Sequence, residues 1–304
     1  MLRTSACMFS FILLVTCLLK PVSAETREHK FKGDVVAEVY KNASGDDLWI
    51  YRFNPSGHNP ETDCRPAAVF FFGGGWNGGL VTQFEQHARY LANRGMVAFV
   101  ADYRVNSRQK TGPDACVADG KSAIRWVRTN AKRLGVDPDR IAAGGGSAGG
   151  HVAATTGICD GLDDPLEEGS KVSSKANALL LFNPVYDNGP EGYGHDRAKA
   201  WFPAISPAHN ISKDDPPTIV FLGSKDGLIP VATAEKFDAD LKEAGVRSEL
   251  WIYEGQPHGF FNERKSPESF LDTVLKMDAF LVSLGWLSGP ANEEYLKSLM
   301  DSKS

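Results

Sequence analysis

The sequence is poor in the features that mark the special classes of protein. Only 5 of its 304 residues are cysteine, too few for a disulfide scaffold. Positive charge is in the minority, 33 basic against 38 acidic residues for a net charge of −5, so no basic field is present to hold a phosphate backbone. Nucleic acid is therefore not expected as a partner. A composition of 42% hydrophobic and 23% charged residues excludes a disordered or collagen-like chain. No internal repeat or low-complexity tract appears. No run reaches the roughly 20 apolar residues of a membrane span, so stable membrane insertion is not expected.

The longest apolar run, Cys7 to Leu19, follows Arg3 and precedes the small residues Val22-Ser23-Ala24. That order reads as a secretory signal over residues 1–24. It predicts a secreted or periplasmic protein with one catalytic domain over residues 25–304. Three cysteines then remain, Cys64, Cys116 and Cys159, with no zinc-like spacing. One bridge with a free thiol and three buried thiols are both open. Buried thiols are preferred, because a domain of this size has core enough without staples. Asn42-Ala43-Ser44 and Asn210-Ile211-Ser212 fit the glycosylation sequon.

Beyond the leader, short apolar runs alternate with helical stripes. Val35 to Tyr40 and Leu48 to Phe53 flank a turn-forming segment and predict a hairpin. Runs at Ala67 to Phe72, Val97 to Val100, Ile141 to Ala143, Ala178 to Phe182, Thr218 to Leu222 and Leu250 to Tyr253 predict strands buried on both faces. Between them, apolar residues step by three and four from Val117 to Leu134, from Ala234 to Ala244 and from Phe270 to Leu284. The fold class is therefore α/β: an eight-stranded, mainly parallel sheet with helices on both faces, starting with an antiparallel hairpin. Two inserts break the rhythm, at about 160–175 and 183–217, the second with at most a short helix near Arg197 to Trp201. The polar tail from Gly289 is expected to pack loosely.

The chemistry concentrates at Gly144-Gly145-Gly146-Ser147-Ala148-Gly149-Gly150, where a buried strand runs into a helix. The pattern G-x-S-x-G at such a junction holds a serine in a strained turn, with its hydroxyl pushed out above the sheet. A nucleophilic serine needs a base and an orienting carboxylate, in the chain order Ser, Asp or Glu, His. His258 sits in the loop between the last strand and the last helix and is the expected base. Asp226, after the strand Thr218 to Leu222, is the expected acid, with Glu254 as competitor. His151 is expected to pack, whereas His195 and His209 in the insert are placed to meet a substrate. The oxyanion would be held by backbone N–H groups of Gly74, Gly75 and Ala148, since only a glycine run lets consecutive amides approach a substrate oxygen. Trp76, Tyr186 and Phe260 are candidates to line a substrate cleft, with Tyr193, Trp201, Phe202 and Phe261 of the same kind. No metal or organic cofactor is expected: no histidine pair has ligand spacing, and the glycine cluster lacks the lysine of a phosphate loop.

These residues resemble the α/β-hydrolase superfamily, and within it the esterase and lipase group that includes hormone-sensitive-lipase-like enzymes. Phe72-Gly73-Gly74-Gly75-Trp76 resembles their H-G-G-G-W element, Asp102-Tyr103-Arg104 their D-Y-R, and Asp137-Pro138-Asp139-Arg140-Ile141 their approach to the elbow. The elbow, the Lys225-Asp226-Gly227-Leu228-Ile229-Pro230 acid loop and the His258-Gly259-Phe260-Phe261 base loop look like those of secreted carbohydrate esterases, acetyl xylan or feruloyl esterases. Phe72 stands where that group usually has histidine, and Gly146 where it often has a carboxylate. The resemblance implies hydrolysis of carboxylic esters through an acyl-enzyme, with acetyl groups on xylan-like poly- or oligosaccharides as substrate. A prolyl-oligopeptidase-like peptidase, a general small-ester esterase or lipase, and a non-catalytic binding module are the alternatives.

Overall fold

The computed structural model describes residues 28–301 apart from 44 and 168. The leader read at residues 1–24 and the third residue of the first sequon lie outside the described residues. Eight strands form one sheet: β1 (Val35–Ala43), β2 (Asp46–Phe53), β3 (Arg65–Phe71), β4 (Val97–Ala101), β5 (Val136–Gly146), β6 (Ala178–Phe182), β7 (Thr218–Gly223) and β8 (Ser248–Tyr253). Their order is β1-β2-β4-β3-β5-β6-β7-β8. β1 and β2 form the antiparallel hairpin, β2 meets β4 antiparallel, and every later pairing is parallel.

Two apolar layers follow from the period of two along each strand. Ala67, Val69 and Phe71 of β3, with Leu179 and Leu181 of β6, face helices α2 (Pro113–Thr129), α3 (Ala148–Ile158) and α4 (Val231–Glu243). The alternate residues Ala68, Phe70, Leu180 and Phe182 face α1 (Glu85–Asn93), α5 (Pro267–Ser283) and α6 (Glu293–Asp301). Helix starts are set locally: α5 opens with Ser266 accepting from the Ser269 amide and with Pro267 in its first turn.

Four expectations are corrected. The edge strand β8 is not buried on both faces: Trp251 is 41% and Ile252 38% exposed, because no strand and little helix covers that margin. The stripe from Val117 to Leu134 is not one helix. It breaks at Asn130, whose side chain donates to the Trp126 carbonyl at 2.8 Å and closes α2. The tail does not pack loosely along α6, which places Leu296 fully inside the layer beside α1 and α5, with Leu299 and Met300 against it, while residues 289–294 are exposed. Cys116 and Cys159 are buried free thiols, but Cys64 is exposed, so only two of the three follow the preferred reading.

The inserts are ordered by polar anchors rather than by regular structure. Arg125 binds Asp163, Glu167 and the Val172 carbonyl, and Arg128 donates to the carbonyls of Ser173 and Lys175. Lys41 and Arg104 converge on buried Asp119, and Lys41 also reaches Asp164 at 2.6 Å. The second insert carries helical turns at His195–Ala198 and Pro207–His209, slightly earlier than expected for the first. Ala198 and Ile205 there pack on Val117, with Trp201 beside them.

Asp119 is the acceptor that Lys41 and Arg104 share, so removing it leaves two partly buried cations with Asp164 alone between them. Asp119→Ala is expected to lower the unfolding free energy by about 3–5 kcal/mol, read by urea denaturation. A loss below about 1 kcal/mol would show that the network contributes little.

Candidate active site

The chain reverses its direction of sheet growth at β3, which lies between β4 and β5. Crevices form beyond the carboxyl ends of strands at such a reversal, and here the loops after β3 and β5 lie against each other. Backbone crowding sets the geometry. A Cβ on Gly145 would lie 2.4 Å from the Gly149 carbonyl oxygen, and one on Gly149 only 2.2 Å from that of Phe71. Ser147 itself sits at φ 55° and ψ −122°, a region that side chains disfavour. It is held there by its amide donating to Phe182 O at 3.0 Å and its carbonyl accepting from Val185 N at 3.2 Å. The free amides that begin α3 face the same point with the positive end of the helix dipole.

The structure brings the three candidate catalytic side chains into one line. His258 Nε2 is 2.9 Å from Ser147 Oγ, and His258 Nδ1 is 2.7 Å from Asp226 Oδ2. The other carboxylate oxygen, Asp226 Oδ1, accepts from the amides of Leu228 at 2.8 Å and Ile229 at 2.9 Å. Burial alone would raise the Asp226 carboxyl, but the hydrogen bonds from His258, Ile229 and Leu228 outweigh it and hold the group below the ordinary carboxylate range. Glu254 is exposed, and His258 has Asp226 as its acid partner.

The glycine loop meets the serine from the side of β3. Gly73 lends its amide to Gln83 Oε1 at 2.6 Å. Among the described residues, the amides of Gly74, Gly75 and Ala148 serve no hydrogen bond of the loop or elbow, which leaves them for an incoming oxygen. A φ of 140° at Gly74 and a Gly78 carbonyl that would be 2.1 Å from any Cβ there require glycine. Where a histidine would brace this loop, Phe72 stacks on Tyr103 at 4.2 Å, and the Tyr103 hydroxyl donates to Phe72 O at 2.5 Å. Arg197 of the second insert donates to Gly75 O at 2.5 Å and covers the ring of Trp76 at 4.8 Å.

The three candidate cleft aromatics are not in the cleft. Trp76 is buried between Arg197 and His151, Tyr186 stacks on Phe237 at 4.6 Å, and Phe260 is buried against Tyr253 at 4.7 Å. Their apolar area is claimed by the core beneath the site. Trp201 and Phe202 likewise pack within the insert. His195 binds the Asn188 carbonyl and His209 the Ser206 hydroxyl, and neither lines the cleft. The cleft above Ser147, about 470 Å³, is lined by the glycine loop, Tyr193, Leu228 and Phe261 together with Gln83, Asn183, Asn262 and Lys265. Sequence reasoning missed the last four and Leu228. Asn183 carried a signal: it directly follows β6 at the carboxyl end of a buried parallel strand, accepts from Gly259 N at 2.7 Å and has its Nδ2 3.5 Å from His258 Nε2. Among the described residues no cluster of His, Cys, Asp and Glu could hold a metal ion, and no helix is long and apolar enough to cross a membrane.

The family model BD-FAE matches residues 55–187, and that of the dienelactone hydrolase family matches residues 187–286. Esterase LipC of Mycobacterium tuberculosis is 32% identical over 239 residues, 70% of this chain and 56% of its own length. The chain thus spans about half the length of the curated relatives it matches. Thermogutta terrifontis esterase 2 phosphoramylated by tabun is 46% identical, with a TM-score of 0.80 over 84% of this chain and 96% of that one. The propionate-bound structure of the same esterase is 44% identical, with a TM-score of 0.80 over 84% and 96% of the two chains.

Under the elbow, His151 is wholly buried. Trp76 Nε1 donates to its Nδ1 at 3.3 Å, so Nε2 carries the proton and donates to Ile205 O at 2.8 Å. Burial drives its pKa down to about 4. The unfolded chain binds a proton near pH 6.5 and the folded chain resists it, so this contribution is complete above pH 6.5 and is lost as pH falls toward 4. Relative to His151→Asn, the wild type is expected to lose about 3 kcal/mol of unfolding free energy between pH 7 and 4 in urea titrations. Equal slopes for the two proteins would show that His151 is not held neutral.

Proposed function

The chain belongs to the α/β-hydrolase family, and on that premise we propose that it is a serine carboxylic ester hydrolase acting through an acyl-enzyme. The observation that carries this reading is the continuous line from Asp226 through His258 to Ser147, ending in a cleft bordered by unengaged amides. His258 Nε2 takes the Ser147 proton as Oγ attacks the ester carbonyl, and Asp226 stabilises the imidazolium so formed. The carbonyl oxygen gains its charge against the amides of Gly74, Gly75 and Ala148, each worth roughly 3 kcal/mol of barrier. His258 then protonates the departing alcohol, and water cleaves the acyl-enzyme by the same route. That relatives bear the name esterase, and that one is phosphoramylated by tabun, supports an activated serine here.

The finer reading is a short acyl group, acetyl above all, on the hydroxyl of a poly- or oligosaccharide such as xylan. Tyr193, Leu228 and Phe261 give the cleft only a small apolar lining, which suits a short acyl chain better than a lipid tail. A solved relative holding propionate points the same way. Asn183 and Lys265 offer amide and ammonium donors suited to sugar hydroxyls. Export directed by residues 1–24 belongs to the same proposal, since it would bring the enzyme to polymeric esters outside the cell.

Acetate release from acetylated xylo-oligosaccharides, measured beside hydrolysis of an aryl acetate, tests both levels. Ser147→Ala is expected to abolish turnover of both with an unchanged melting temperature. Asp226→Asn is expected to lower kcat on the order of 10⁴-fold, as loss of the orienting acid does at other Ser-His-Asp sites. Retained turnover in pure Ser147→Ala would sink the esterase reading. Cleavage of the aryl ester alone would keep it and remove the sugar.

A further inference from the structure

Gln83 lies in a short turn, Val81–Phe84, between the glycine loop and α1. Its side chain spans the cleft floor. Gln83 Oε1 accepts from Gly73 N at 2.6 Å, Gln83 Nε2 donates to Asn262 Oδ1 at 3.1 Å, and Asn262 Nδ2 donates to Gly259 O at 2.8 Å. The polarity of this relay is forced. A backbone donor fixes one end and a backbone carbonyl the other, so neither amide can flip without losing a partner. The next residue repeats the connection in apolar form: Phe84 stacks on Phe261 at 5.5 Å and 20°. The Phe261 ring in turn fills the space that a Cβ on Gly146, the residue before Ser147, would occupy at 2.3 Å.

Resting on the esterase reading, we infer that Gln83 is a positioning residue that sets the oxyanion loop against the base loop through Asn262. Gly73 immediately precedes the donors Gly74 and Gly75, and Gly259 immediately follows His258. A relay joining those two residues fixes where the oxyanion amides stand relative to the proton acceptor. By engaging the Gly73 amide it also directs an incoming oxygen to the next two. Chemistry at Ser147 depends on that registration, whereas ground-state binding in the open cleft depends on it little.

The test is steady-state hydrolysis of an aryl acetate and the rate of labelling by a fluorophosphonate, whose phosphoryl oxygen charges in the same hole. Gln83→Met keeps the volume and cuts both hydrogen bonds. It is expected to lower kcat and the labelling rate together by about 10- to 100-fold with KM changed less than about 3-fold, less than deleting an oxyanion donor outright. Asn262→Ala should do the same, and the double variant should fall little further, because a relay cut once is already cut. If Gln83→Met does not fold, Gln83→Glu serves: it still accepts from Gly73 but turns an acceptor toward Asn262 Oδ1, and the same fall is expected. An unchanged kcat, a loss confined to KM, or losses that multiply in the double variant would overturn the proposal while leaving the esterase reading intact. A wild type inert to both ester and fluorophosphonate would overturn that reading and the relay with it.

Discussion

Backbone segments meet around Ser147 closer than side chains would permit, and the rest of the site depends on that approach. Gly145 and Gly149 let β5 turn into α3 against the carbonyl of Phe71, and Gly73 lies so near that a Cβ there would be 2.8 Å from Gly146 O. The strained φ of Ser147 costs on the order of 1–3 kcal/mol, and the buried strands on either side absorb it. β3, β6 and the second half of β5, from Ile141, present almost unbroken apolar or glycine runs to both layers, so the elbow cannot relax without pulling core residues out of register. The same closeness puts the β3 loop amides within reach of whatever Ser147 attacks.

Aromatic packing beneath the site turns this crowding into rigidity. On one face Trp76 is held edge-on to His151, and on the other Phe261 stacks with Phe84 and leans on Phe182. Asp102-Tyr103-Arg104 completes the support: Asp102 is bound by Arg108, Tyr103 bonds the Phe72 carbonyl, and Arg104 grips Asp119. The phenylalanine that replaces histidine at the head of the glycine loop is therefore no vacancy. Its ring is sandwiched by Tyr103 and reached by Arg108, and a stacked contact takes the place of a hydrogen bond.

What the sequence made legible were features written in consecutive residues. The strands themselves, the parallel sheet with helices on both faces and the glycine run followed from period and composition, and the elbow and chain order placed Ser147, Asp226 and His258 where the structure brings them together. The order β1-β2-β4-β3-β5-β6-β7-β8 came only from the structure. What escaped were features decided by distant contacts. Trp76, Tyr186 and Phe260 carry the same rings whether they face solvent, sugar or core, and only the packed structure assigns them to the core. The exposure of β8 depends on its being the last strand of the sheet, and the docking of α6 on an apolar surface made by α1 and α5. Gln83 and Asn262 are 179 residues apart, and nothing in either local sequence announces the other.

The second insert, which read as an irregular connection, is bound to the site from two sides. Its Ile205 carbonyl accepts from His151 beneath the elbow, and its Arg197 reaches over the Trp76 ring to the Gly75 carbonyl. Trp76 is thus clamped between a histidine from α3 and an arginine from the insert, and the glycine loop that ends at Trp76 is fixed by residues outside it at both ends. The same segment contributes Tyr193 to the cleft wall. The cleft wall and the support of the glycine loop therefore share one piece of chain. On the esterase reading, a change in the insert that reshapes the cleft is expected to move Gly75 as well and so to couple the choice of ester to the efficiency of its hydrolysis. A segment with so little regular structure is thus anchored by buried side chains, Ala198 and Ile205, and by the polar contacts of Asn188 and Ser206.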